Sequence, residues 1–397
     1  MGLMPKAEVI SPSSSYLRRL DLDWLRTFVF GLLILSHIGM YYGTENWVIK
    51  SEVTSPAVDV LQYLARPWRL MLLFIISGSA TAFLLAKLQH GFLRERSRRL
   101  LVPLVFAILV IIPLQRYYQA IEHAGYAGGY AAFLGSYLTF GRDVCGPSKC
   151  YDVPTLSHLW FVAYLWIFTV LLWTLIRLRP GIDDQMRRLL AAATSGSRVL
   201  VWPMLLLIGL RLLLRDAYPP TFNFMTDWYR DIVFFLAFAF GFLVAREHSI
   251  WASIRQTRWP ALGLWLGSYL ILAWTVAVRG VDRPPIDGLH YLGHVAYGVG
   301  QWSGVVAVLG FASGIAFRDS DSRKYFTDAI FPFYIVHYAA IIVIAVQLRT
   351  LALPVALEAV LLISGTVLAC VTTYAMVRRV QWLRPLFGLR KVPTPVR

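Results

Sequence analysis

The feature that most constrains this chain is a recurring apolar run of membrane-crossing length. A helix must offer ~20 apolar residues to cross the ~30 Å hydrocarbon layer of a bilayer. Ten such runs follow one another, at roughly 22–42, 58–86, 99–115, 156–177, 199–217, 228–245, 259–278, 289–317, 329–348 and 353–377. They are too long for the core strands or helices of a soluble domain, and they lack the short alternating pattern of an outer-membrane barrel. The expected fold is therefore all-α, a polytopic transmembrane helix bundle of about ten spans. No soluble-domain linker interrupts it, so the expected organisation is a tail over 1–20, one membrane domain over 21–380 and a second tail over 381–397. No small-residue cleavage site follows the first run, which reads as an uncleaved span rather than a signal peptide.

Charge adds orientation. Only 15% of the 397 residues are charged, and the net charge is +16. No basic, aromatic-rich soluble segment points to nucleic acid. If the N-terminus is cytoplasmic, 25 of the 38 Lys and Arg fall on the inner side and 10 on the outer side. Lys and Arg accumulate in cytoplasmic loops, so both termini are expected inside. The long loop near 116–155 then faces outward. It carries "CGPSKC", in which Cys145 and Cys150 fit either a small disulfide or two reduced thiols. Cys370 reads as a packing residue.

Ionisable residues inside these runs call for a reason, because hydrocarbon disfavours them. "LDWLRTFVFGLLILSH" holds Arg26 and His37, 11 positions apart. At ~100° and ~1.5 Å per residue they share one stripe of a helix, ~16 Å apart along its axis. An interfacial arginine and a histidine bonded to a neighbouring helix is the simplest account, and acid/base chemistry by His37 is the functional one. "FLRERSRRLLVPL" opens the third run. Its Arg96 and Arg99 are three apart and share a face, which suits a phosphate clamp. Arg94 and Arg98 read as flanking charge.

The order of these motifs resembles that of the acyltransferase 3 family of integral membrane acyltransferases. R-x10-H lies in the first span and R-x-x-R before the third. "PWRLMLLFIISG", "SHLWFVAYL" and "FPFYIVHYAAII" are similar to its later motifs, and "RLLLRDAYPP" resembles the branch that includes the glucans biosynthesis protein C succinyltransferases. The resemblance spans residues 20 to 390. It implies a multi-pass protein of the bacterial inner membrane that moves an acyl group, succinyl or acetyl, from cytoplasmic acyl-CoA to a hydroxyl of an extracytoplasmic carbohydrate such as a periplasmic glucan. Arg26, Arg96 and Arg99 would hold the donor. His37 would be the catalytic residue, as general base or as a transient acyl carrier. Arg69, His158, Trp160, Arg211, Arg215 and His337 would contact the acceptor or the acyl group. A free carboxylate on a succinyl group would need neutralising, and Arg69, Arg211 and Arg215 are candidates.

The rival reading is a secondary transporter of an anionic or proton-coupled solute, against which stands the lack of an internal repeat. His290 and His294 are spaced as metal ligands but have no acidic or cysteine neighbour nearby in sequence, so no metal is expected. Tyr334 and Trp302 read as core aromatics. Glu358, in the last run, reads as a helix–helix hydrogen bond.

Overall fold

The computed structural model describes residues 19–88, 90–139, 144–151, 153–221, 223–279, 287–315 and 317–391, with the side chains of Arg279 and Asp287 left aside. Most of the expected N-terminal tail, and the end of the C-terminal one, lie outside them.

The chain is a bundle of helices, as expected. Its first half runs α1 (Leu20–Tyr42), α2 (Pro56–Gln62), α3 (Arg66–Lys87), α4 (Phe92–Val110), α5 (Ile112–Ala124), α6 (Tyr130–Leu138), α7 (Trp160–Leu178) and α8 (Ile182–Ala193). Its second half runs α9 (Arg198–Leu214), α10 (Trp228–Val244), α11 (His248–Gln256), α12 (Arg258–Arg279), α13 (Asp287–Ala312), α14 (Asp321–Arg349), α15 (Val355–Arg379) and α16 (Leu383–Leu386). Among the described residues, seven stretches are long and apolar enough to cross a membrane unaided, and ten are if each bent pair counts as one span.

The breaks have local causes. The run at 99–115 is two helices meeting at 40°, with Pro113 just inside the second. Proline has no N–H to donate, so it is favoured in the first turn of a helix, where that donor has no partner within the helix. α8 meets α9 at 105° and α11 leaves α10 at 114°, so α8 and α11 lie across the bundle rather than along it. The only strands among the described residues are β1 (Val144–Cys145) and β2 (Cys150–Tyr151), an antiparallel ribbon in which Cys145 and Cys150 are joined as a disulfide.

Two helix pairs position the site. The first is α3 with α10. A Cβ at Gly78 would come 2.0 Å from the Phe238 carbonyl oxygen, and one at Gly241 2.0 Å from that of Ile75. Glycine at both positions lets the backbones touch, the small-residue packing typical of membrane helices. Ser79 Oγ then donates to the Gly241 carbonyl at 2.8 Å.

The second pair is α1 with α14, which run parallel. Arg323, 2% exposed, donates to Asp23 of α1 at 2.7 Å and to Asp319 at 2.7 Å. Fourteen residues further along each helix, His37 meets His337. Both contacts join residues 300 apart in sequence, so one register holds over the whole interval. Fourteen residues are two heptads, the spacing at which a coiled-coil seam returns to the same face. Elsewhere Tyr42 donates to Glu358 at 3.2 Å, which gives the acid of α15 its helix–helix bond. Trp302 is a core residue, bonded to the Val199 carbonyl.

Candidate active site

The centre is a cluster of three histidines. His37 comes from α1, His158 from the 3-10 turn that precedes α7, and His337 from α14. Ser157, beside His158, has a φ of 45°, which is strained for a side chain other than glycine. Its hydroxyl is held by Gln115 at 2.9 Å, and this anchors the turn.

Hydrogen bonding assigns the protons of the cluster. His337 Nδ1 lies 2.8 Å from the Tyr334 carbonyl and 3.1 Å from that of Phe333. Both are acceptors, so Nδ1 carries the hydrogen. In the neutral ring Nε2 of His337 is then an acceptor. Its 2.9 Å contact with His37 Nδ1 is therefore a bond that His37 donates. His37 is left with its lone pair on Nε2, the form a general base requires. His158 faces the Tyr334 and Ile335 carbonyls with Nε2, at 3.1 and 3.3 Å. Its buried Nδ1 has no partner among the described residues. Tyr334 closes the circuit by donating its hydroxyl to the His158 carbonyl. Tyr338 packs on all three, stacked on His158 with ring centroids 4.9 Å apart.

His37, His158 and Tyr334 line a cavity of about 710 Å³. Its mouth is formed by Glu45 and Asn46 after α1, Pro220 after α9, and Leu289 and His290 at the start of α13. Its floor reaches Phe30, which meets Tyr334 edge to face at 5.3 Å. Trp160 and Phe161 form part of the wall.

Five arginines share this cavity: Arg66, Arg69, Arg211, Arg215 and Arg230. Arg66 forms a two-pronged ion pair with Glu45, and Arg230 pairs with Asp227 at 3.5 Å. Arg211 donates to the Tyr229 hydroxyl at 3.2 Å and lies 3.7 Å over the Tyr297 ring. The Arg69 side chain, 8% exposed, has neither a hydrogen bond nor an ion pair among the described residues, whereas Arg215 is only half-buried and feels the charges of Asp216 and Asp227. A buried cation without a counter-charge is costly, so Arg69 favours an anion in this cavity.

Of the residues singled out by sequence, Arg69, His158, Trp160, Arg211 and Arg215 thus meet His37 around one cavity, with His337 directly behind it. Arg26, Arg96 and Arg99 do not line it. They gather instead at the far end of α1, where the charges of Arg26 and Arg99 both bear on Arg96. Arg26 donates to the Thr327 carbonyl at 3.3 Å, and Arg96 to Thr81 at 3.2 Å. Arg99 is engaged by Glu95 at 2.9 Å, so it is less free than its neighbours to take an external phosphate.

Sequence reasoning missed Arg66 and Arg230 as cavity residues; Tyr334, expected as a core aromatic, is 2% exposed in the core and also lines the cavity. A signal existed for Arg66, three positions before Arg69 and so on the same helical face. Tyr334 had a weaker one, three positions before His337.

A family model described as an acyltransferase domain (Acyl_transf_3) matches residues 19–375. No curated protein and no solved structure matches the chain.

Proposed function

The chain belongs to the acyltransferase 3 family, a membrane acyltransferase, and from that premise we propose that it carries an acyl group from acyl-CoA on one side of the bacterial inner membrane to a carbohydrate hydroxyl on the other. The arginine group at the start of α1 is the donor end, and the cavity is the acceptor end. The bias of Lys and Arg supports placing the donor end in the cytoplasm.

The observation that carries this reading is the His37–His337 hydrogen bond at the base of an arginine-rich cavity. In the proposed step the acceptor hydroxyl oxygen attacks the thioester carbonyl carbon. Its proton passes to His37 Nε2, and the new C–O bond forms. The C–S bond then breaks, and the imidazolium returns the proton to the departing CoA sulfur. His337 holds the His37 ring in the tautomer this step needs. The phosphates of CoA bind Arg26 and Arg96, with Arg99 contributing if it turns from Glu95. From Arg26 the pantetheine arm has ~16 Å to span to His37, passing the Phe30–Tyr334 contact.

Within this reading the acyl group is succinyl rather than acetyl, and the acceptor is a periplasmic glucan. Support for succinyl is Arg69, a buried cation on the cavity wall with no side-chain counter-charge among the described residues, with Arg215 on the same wall.

The test is acyl transfer in proteoliposomes with labelled succinyl-CoA and acetyl-CoA inside and glucans outside. Wild type should label the glucan, and His37→Ala should lower the rate by ~10²–10⁴-fold or more, the usual contribution of a positioned general base. Equal rates for the two proteins would overturn the role of His37. Absence of both transfer and thioester cleavage would favour the transporter reading.

A further inference from the structure

At the mouth of the cavity, away from the histidine cluster, Asp216 meets His290 and His294. We propose that these three side chains bind one divalent cation of the zinc class.

The two histidines are one helical turn apart at the start of α13, with ring centroids 4.2 Å apart. Asp216 lies in the turn that ends α9. Its Oδ2 is 2.8 Å from His290 Nε2, and its Oδ1 is 3.6 Å from His294 Nε2. One ligand atom from each residue falls within 4.8 Å of the others. Two imidazoles and a carboxylate are the donor set of many zinc sites, and three protein ligands leave a fourth tetrahedral position open. Because His290 and His294 line the cavity, the open position faces what enters it.

A second observation points the same way. His294 is 8% exposed, yet neither ring nitrogen is hydrogen-bonded among the described residues. Its Nδ1 has no partner, and 3.6 Å is too long for an Nε2 hydrogen bond to Asp216. Such a buried polar group calls for an explanation. A metal ion at Nε2 gives that nitrogen a partner and leaves the ring hydrogen on Nδ1.

The arginines limit what else the site takes. Arg211 and Arg215 stand close enough for their charges to bear on His294. They oppose a bare cation, and Asp216 offsets one of them. The fourth ligand is therefore an anion, hydroxide or an anionic group of a bound substrate. Sequence spacing marked His290 and His294 as a possible ligand pair but offered no third ligand, because Asp216 lies 74 residues before His290.

The inference stands apart from acyl transfer and is tested without it. Full-length protein without an affinity tag, in detergent and stripped with chelator, is titrated with Co(II). One equivalent should bind with the visible absorption bands of a tetrahedral site, and Zn(II) should displace it. Asp216→Ala and His294→Gln should bind at least a hundredfold more weakly, while both still elute as a single folded species. His37→Ala serves as a control and should bind as wild type does. Zn(II) should raise the melting temperature of wild type and leave that of Asp216→Ala unchanged. Folded wild type that takes up no stoichiometric metal would overturn the proposal. So would retained binding in Asp216→Ala and His294→Gln, or loss in His37→Ala, which would place the metal at the histidine cluster.

Discussion

At the scale of single residues, the proposed chemistry depends on which nitrogen carries a proton. His337 is fully buried and bonded to two carbonyls of its own helix, so it has one available tautomer, and that tautomer dictates the one His37 adopts. In the proposed mechanism His337 is thus a positioning residue. His337→Ala should lower kcat about 10- to 100-fold with KM for the donor little changed, as loss of an orienting partner does elsewhere. Steady-state kinetics checks this split, and an equal rise in KM would show that His337 acts in binding instead. Sequence singled out His37 and His337 separately, as two histidines in apolar runs. It did not pair them, because a contact between residues 300 apart leaves no trace in local spacing.

At the scale of elements, two devices bring the site together. The α3–α10 pair begins at the cavity end, with Arg66 and Arg69 on one helix and Tyr229 and Arg230 on the other. Its backbone contact at Gly78 and Gly241 leaves no space for a larger side chain. Gly241→Leu should cost about 1–3 kcal/mol or more through overpacking, read as a lower melting temperature in detergent. The α1–α14 pair is set in register by Arg323 and Asp23 at one end and by the two histidines at the other. Arg323→Met should remove charge-assisted bonds worth roughly 1.5–3 kcal/mol each and also reduce turnover, although Arg323 lies ~21 Å from His337 along the helix. If the rate stays at the wild-type value in a folded protein, the register is held by packing alone. The glycines and the arginine were all visible in the sequence. Their roles were not, since each depends on the facing helix.

At the scale of the whole molecule, the number of crossings decides the arrangement. Seven crossings would put the termini on opposite sides, and ten put them on the same side. The bent pairs α4–α5, α8–α9 and α10–α11 each count as one span in the second case. Tags at both termini should therefore be protected from, or open to, an impermeant protease together, and in sealed inside-out vesicles both should be cleaved. Cleavage of one alone would give an odd number of crossings. By itself the sequence determined that the chain is a membrane-crossing helical bundle, because hydropathy and length act locally and need no partner. Its family follows in the same way, because the spacing of motifs along a chain is a one-dimensional property. Only the tertiary structure decided which ionisable groups meet: His37 with His337, Arg66 with Glu45, and Asp216 with His290. The tautomer of His37, the surplus of positive charge in the cavity and the three-ligand cluster at its mouth all arise from those meetings. Each depends on distances of a few ångströms between helices remote in sequence, and no pattern within one helix encodes them.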